Sequence, residues 1–429
     1  MYSRIKVSFF LIIWIFIMAD SSNLGFSQRP GINQDESKVP EFTLPKLLVC
    51  NDGSIVDSVQ GWEARRRGEV LQLFADHVYG NFPVSELNTE FLAGSQWEVF
   101  EGNAIRKEVT IRFGANGDRS AVMLITIPKS NQPVPCFVGY NFNGNHTTTD
   151  DAKVSITTSW VRENKKIGTN KNRASEKGRG TSASRWPYRE IINQGYAVAT
   201  MYYGDVDPDF DDQFQNGIHP LFPLQEQDAS TKNRWGSIGA WGWAISRALD
   251  FLQTDDAIDG QHVAVIGHSR LGKTALWAGA TDQRFWITIS NNSGCGGAAL
   301  HRRRFGETVK KINTNFPHWF CDQFTEYNDN EDLIPVDQHM LIALMAPRPV
   351  YVASASEDLW ADPKGEYLSV VKADDLYTLY GDSSMPTPMP DSNTPITSGL
   401  RGYHLRSGKH NITLYDWQQY IKFANRHIK

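Results

Sequence analysis

Residues 259–280 constrain this chain more than any other segment. Asp259-Gly260 is a turn signal, Val263-Ala264-Val265-Ile266 is an unbroken apolar strand, and Lys273–Ala280 is helix-forming. Between strand and helix stands Gly267-His268-Ser269-Arg270-Leu271-Gly272. A strand, a tight turn centred on serine and a helix are the context that a nucleophile elbow requires: the turn lifts the hydroxyl above the strand end, and glycines keep neighbouring side chains away. The N–H after the serine and the helix N-terminus then lie where an oxyanion develops. The usual spacing is G-x-S-x-G, whereas here the second glycine comes one residue late, at Gly272.

The pattern around this segment alternates. Helical periodicity is expected at Gly61–Tyr79, Tyr188–Gln194, Trp235–Gln253, Thr274–Ala280, His339–Ala346 and Asp416–His427. Strands are expected at Trp97–Phe100, Ile105–Phe113, Ala121–Pro128, Pro135–Tyr140, Tyr196–Tyr202, Val263–Ile266, Trp286–Ser290 and Val350–Ala355. Strands alternating with helices imply a parallel sheet covered on both faces. The expected class is therefore α/β: an α/β-hydrolase, a three-layer αβα sandwich with a mostly parallel central sheet. No internal repeat or Gly/Ser linker cuts the series, so residues 28–429 read as a single catalytic domain. Residues 147–185 interrupt it as a polar insertion. Its second half carries eight basic residues against two acidic ones, which suits a solvated loop or one wall of a substrate cleft.

In this fold the chain order is serine, acid, histidine. His404 and His410 flank Ser407-Gly408-Lys409 just before the last helix, and position favours His410. The acid should follow a late strand. Ser356-Glu357-Asp358-Leu359-Trp360 does so, leaving Asp358 or Glu357 to orient the histidine.

The start of the chain reads as an export signal. Arg4 and Lys6 precede a run from Val7 to Ala19 that is apolar except for Ser8. That run is shorter than the roughly 20 residues a bilayer span needs. Cleavage is expected after Gly25-Phe26-Ser27, which makes residues 1–27 a signal peptide and the protein secreted or periplasmic, with no stable membrane insertion afterwards. The full chain has a net charge of −5, and losing Arg4, Lys6 and Asp20 makes it −6, which does not suit a nucleic-acid binder. Cys50, Cys136, Cys295 and Cys321 match no zinc spacing. No metal or organic cofactor is expected, and the protein is expected to be a monomer.

With these motifs in place, the chain resembles glucuronoyl esterases of carbohydrate esterase family 15, over roughly Pro135 to the C-terminus. Gly267-His268-Ser269-Arg270-Leu271-Gly272-Lys273 matches the family elbow G-x-S-R-x-G-K, which accounts for the late glycine. The resemblance implies hydrolysis of (4-O-methyl-)glucuronoyl esters that link glucuronoxylan to lignin alcohols. It implies Ser269 and His410 as catalytic residues and Arg270 as oxyanion stabiliser. It also implies Lys273, Glu307 and Trp360 as sugar ligands. Many members place the acid in a segment like E-S-G-x-G-G. Here that segment is Asn292-Ser293-Gly294-Cys295-Gly296-Gly297, and a neutral amide offers no charge, so Asp358 is the expected acid. The competing expectations are an acetyl-xylan or other uronate methyl esterase, a serine peptidase, and a non-catalytic sugar-binding protein.

Overall fold

The computed structural model describes residues 31–223 and 231–428. The expected signal peptide, residues 1–27, lies outside the described residues. From Asn33 onward the chain forms one unit around a nine-stranded sheet, in the order β1-β2-β3-β5-β4-β6-β7-β8-β9. The strands are β1 (Thr89–Val99), β2 (Ala104–Phe113), β3 (Arg119–Pro128), β4 (Val134–Asn141), β5 (Ala197–Tyr202), β6 (Ile258–His268), β7 (Thr288–Asn291), β8 (Val350–Ala355) and β9 (Arg401–Arg406). β1 to β3 run antiparallel and join β5 antiparallel, and every pair from β5 to β9 is parallel.

The two-residue period of each strand explains the layering. In β6, Val263 and Val265 join one hydrophobic cluster while Ala264 and Ile266 join another. The same split separates Cys136 and Val138 from Phe137 in β4, and Val350 and Val352 from Tyr351 and Ala353 in β8. The helices Ser237–Leu252 and Arg270–Thr281 cover the first face. The closing helix Leu414–His427 and the short helix Tyr188–Asn193 cover the second, through the buried Trp417, Tyr420, Phe423 and Ile191. Each such side chain contributes about 1.5–3 kcal/mol on burial. A sheet buried on both faces has continuous apolar strands, and this is why β6 and β8 are legible as runs without alternation.

Three expectations change. The weakly patterned first strand is much longer than Trp97–Phe100. It ends at Val99, because Phe100 turns to φ 55°. The helix expected at Thr274–Ala280 begins at Arg270, directly after the serine. His404 does not flank a loop: it lies inside β9, fully buried, with Nε2 2.8 Å from Asp416 and Nδ1 3.0 Å from the Tyr351 hydroxyl.

The insertion is built rather than loose. It folds as short 3-10 turns, and Arg179 donates to the carbonyls of Asp151 and Val154 at 2.7 and 2.9 Å. All four cysteines are free and buried. Among the described residues, no helix is long and apolar enough to cross a membrane.

Candidate active site

The elbow carries its strain on one residue. Ser269 sits at φ 59°, ψ −129°, a conformation that costs a non-glycine residue of order 1–3 kcal/mol and persists only where the surroundings enforce it. Here β7 and the following helix enforce it. The Ser269 N–H donates to the Asn291 carbonyl at 2.8 Å, and its own carbonyl accepts from Gly272 N–H at 2.8 Å and Lys273 N–H at 3.2 Å. A Cβ at Gly267 would stand 1.8 Å from the Leu271 carbonyl oxygen, so only glycine lets the helix fold back this closely on the strand. Arg270 and Leu271 open that helix directly after the serine, and leading N–H groups of this kind have no carbonyl one turn earlier to accept them.

His410 and Asp358 come together across the ends of β8 and β9. Asp358 Oδ2 lies 2.5 Å from His410 Nδ1, and the same oxygen accepts the Asn292 amide at 3.0 Å. Because a carboxylate only accepts, Nδ1 holds the proton and Nε2 is left as the basic nitrogen. Asp358 is buried, whereas the His410 side chain is 39% exposed, so the anion is sheltered and the imidazole faces the solvent side. The His410 ring packs on that of His268, the residue before the serine, with centroids 4.5 Å apart. Glu357 is exposed, and of the two candidate carboxylates Asp358 is the one that meets the histidine.

Arg270 is held by a group that the sequence reading missed. Its guanidinium bonds the fully buried Asp209 carboxylate, and its Cζ lies 4.7 Å from the Trp319 ring centre and 5.4 Å from that of Phe316. Asp209 also accepts from the Tyr203 hydroxyl at 2.9 Å, His318 Nε2 at 3.1 Å and the Trp319 indole at 2.8 Å. Burial would raise its pKa, but Arg270 and the His318 and Trp319 donors outweigh burial and hold the carboxyl well below the usual range. The cation beside Ser269 is therefore fixed in place before any ligand arrives.

Lys273, Glu307 and Trp360 form one cluster next to it. Lys273 Nζ is buried, donates to the Ser293 carbonyl, and stands 3.9 Å from Glu307 Oε2. The Trp360 side chain hydrogen-bonds the Glu307 carboxylate, and its carbonyl accepts the Glu307 N–H at 2.9 Å. Burial raises the Glu307 pKa, against the pull of Lys273, Arg270 and His410. Burial also lowers that of Lys273, against the pull of Glu307. One turn of helix separates Arg270 from Lys273, which puts both cations on the same face.

The arrangement has known counterparts. The family profile described as "Glucuronyl esterase, fungi" matches residues 188–381. A carbohydrate esterase from an unknown prokaryotic organism is 50% identical over 406 residues, 94% of each chain. Among solved structures, a promiscuous CE15 esterase from a marine bacterial metagenome is 50% identical. It superposes with a TM-score of 0.87 over 93% of this chain and 100% of its own. A glucuronoyl esterase from Solibacter usitatus is 42% identical, with a TM-score of 0.86 over 92% and 100%. The chain belongs to carbohydrate esterase family 15. It is an esterase of α/β-hydrolase fold.

In this esterase, Ser269, Glu307, Asp358, Trp360 and His410 follow β6, β7, β8, β8 and β9 in turn, and Arg270 and Lys273 lie in the first turn of the helix that follows β6. Asp209 escaped because its partners come from separate segments, around Tyr203, Arg270 and His318-Trp319. The available signal was Asp207-Pro208-Asp209 following β5, where loops at the C-terminal ends of parallel strands carry sites. Asn292 was expected to lack a charge. Its contact with Asp358 gives it a role in orienting the carboxylate.

Proposed function

We propose that this esterase hydrolyses esters of (4-O-methyl-)glucuronic acid, of the kind that link glucuronoxylan to lignin alcohols. The observation that carries this reading is the buried Lys273–Glu307–Trp360 cluster beside Ser269 and Arg270. A small acetyl group would leave a buried cation, a carboxylate and an indole without work, whereas a polyhydroxylated acyl group offers donors and acceptors to all three. The fungal glucuronyl esterase profile and the Solibacter glucuronoyl esterase support the same acyl group.

In the mechanism that follows, His410 Nε2 takes the Ser269 proton as Oγ attacks the ester carbonyl. The backbone N–H groups at the helix start and the Arg270 guanidinium hold the oxyanion. The C–O bond to the alcohol breaks and the alcohol leaves with the proton from His410. Water then gives a proton to His410 and adds to the acyl-enzyme, which releases the uronic acid and restores Ser269. Asp358 keeps the imidazole tautomer and stabilises imidazolium, while Asn292 keeps Asp358 in place. Arg270 depends on Asp209 for its position. The reaction uses no metal or organic cofactor.

Residues 28–429 act as one catalytic domain, a monomer exported by residues 1–27 and working outside the cytoplasm on a polysaccharide-linked ester. Side-by-side kcat/KM on benzyl glucuronate, methyl galacturonate and acetylated xylan tests the reading. Benzyl glucuronate should lead the other two by at least tenfold, a preference of about 1.4 kcal/mol. A lead for acetylated xylan would replace the proposal with acetyl esterase activity.

A further inference from the structure

A second groove opens on the same edge of the sheet, beyond β5. It has a volume of about 660 Å³ and lies between the start of β3, the loops after β4 and β5, and residues 155–160 of the insertion. β3 runs antiparallel to β5, so its first residues stand beside the C-terminal end of β5, the edge that also bears Ser269. Trp160 and Phe210 supply the aromatic surface, with ring centroids 4.8 Å apart. The rest of the lining is dominated by hydroxyl, amide and charged groups, among them Ser120, Thr158, Asn216 and Arg173.

The insertion wall is prebuilt. The Ser155 N–H and hydroxyl both donate to Glu108 at 2.9 Å, and the Thr157 hydroxyl donates to Asp205 at 2.5 Å. The Thr158 carbonyl accepts from Arg173 at 2.6 Å, and that of Trp160 accepts from the Tyr202 hydroxyl at 2.7 Å. A wall fixed at four points between Ser155 and Trp160 loses little further freedom when a ligand binds.

The groove is also joined to the catalytic edge. Pro208 and Phe210 line it on either side of Asp209, whose side chain turns inward to Arg270. Arg162, two residues beyond Trp160, donates to the Asp209 carbonyl at 2.9 Å. Both walls therefore end on the residue that positions the catalytic cation.

We propose that this groove is a carbohydrate subsite that takes neutral sugar units of the chain bearing the uronate ester, while the ester itself lies at Ser269. Aromatic rings flanked by many hydroxyl and amide groups suit a sugar, which presents C–H faces and hydroxyls together. A pocket for an aromatic alcohol would be mostly apolar. The charges in the lining are of both signs and select no net charge on the ligand. The inference rests on the uronate-ester reading for the identity of the polymer.

The test uses the full chain and xylohexaose as probe. In the Ser269→Ala protein, xylohexaose should quench tryptophan fluorescence with Kd of ~1 mM or tighter. Trp160→Ala and the milder Phe210→Leu should each weaken binding roughly tenfold, the scale of one lost aromatic contact. In the active enzyme, the same variants should lower by about tenfold the ratio of kcat/KM on a xylo-oligosaccharide glucuronate ester to that on benzyl glucuronate. Absent xylohexaose binding, or an unchanged ratio in a folded Phe210→Leu protein, overturns the subsite. Binding of benzyl alcohol in place of xylohexaose, lost in Trp160→Ala, overturns its carbohydrate character. If neither glucuronate ester is cleaved, the uronate-ester reading fails, while the xylohexaose titration still decides the groove.

Discussion

Asp358→Asn separates charge from geometry at His410, the proposed general base. His410 Nδ1 and Asn292 Nδ2 both address Oδ2 of Asp358, at 2.5 and 3.0 Å. With its carbonyl oxygen at that position, the new amide still accepts from both donors, so the tautomer of His410 survives and only the anion is lost. A unit charge about 4 Å from a developing imidazolium contributes about 4 kcal/mol at an effective dielectric near 20. That corresponds to a fall of ~10³ in kcat on benzyl glucuronate, with KM almost unchanged. Adding Asn292→Asp returns a carboxylate within one hydrogen bond of the original site. Residue 292 sits at φ 49°, a conformation that Asp tolerates as Asn does. The double variant should therefore recover at least tenfold of the loss, about 1.4 kcal/mol. Steady-state kinetics of wild type, single and double variants provide the measurement. More than a tenth of wild-type kcat in Asp358→Asn would refute the argument that Asp358 is the anion His410 needs.

Asp209→Asn should lower kcat by about 10²-fold while the protein stays folded, because Arg270, the proposed oxyanion cation, loses its buried counter-charge; equal kinetics on benzyl glucuronate would remove Asp209 from the site. Burial of Glu366 beneath the Asn292–Gly297 loop, where Gly294 N–H and the Ser354 hydroxyl donate to it, pushes its pKa up to about 8. The folded state then holds a proton that the unfolded state has already released, so stability is fully present at low pH and falls as pH rises from the ordinary carboxylate range to about 8. Denaturant titrations should show Glu366→Gln gaining on wild type across that window by up to ~1.4 kcal/mol per pH unit, and a constant difference would contradict it. Asp416→Ala leaves Arg406 and His404 without their buried partner and should cost about 3–5 kcal/mol in urea unfolding, with a loss below 1 kcal/mol as the contrary result.

Legibility in the sequence followed the way each element satisfies its polar groups. β6 and β8 stood out because both faces are apolar, and the elbow because glycine spacing, strand and helix coincide within a few residues. β9 did not, since Arg401, His404 and Arg406 make it look like a loop. Each of the three is buried against a carboxylate from elsewhere in the chain: Asp374 and Asp382 for Arg401, and Asp416 for His404 and Arg406. Periodicity cannot display a partner that is distant in sequence. The same reason hid Asp209, whose bonds reach Tyr203, Arg270, His318 and Trp319, and left the choice between Asp358 and Glu357 open until strand ends were placed side by side. Lys273, Glu307 and Trp360 became legible only through family resemblance, because nothing local marks a surface-type residue that the fold will bury.

Under the proposed function, Ser269 is the nucleophile that cleaves glucuronate esters. The most direct measurement is benzyl glucuronate hydrolysis by wild type and Ser269→Ala, with mass spectrometry of both proteins after exposure to an active-site phosphonate. Ser269→Ala should lose roughly 10⁴-fold or more in kcat, and the label should appear on the wild-type peptide carrying Ser269 and nowhere in the variant. Full activity in Ser269→Ala, or a phosphonate label on a different residue, would contradict it.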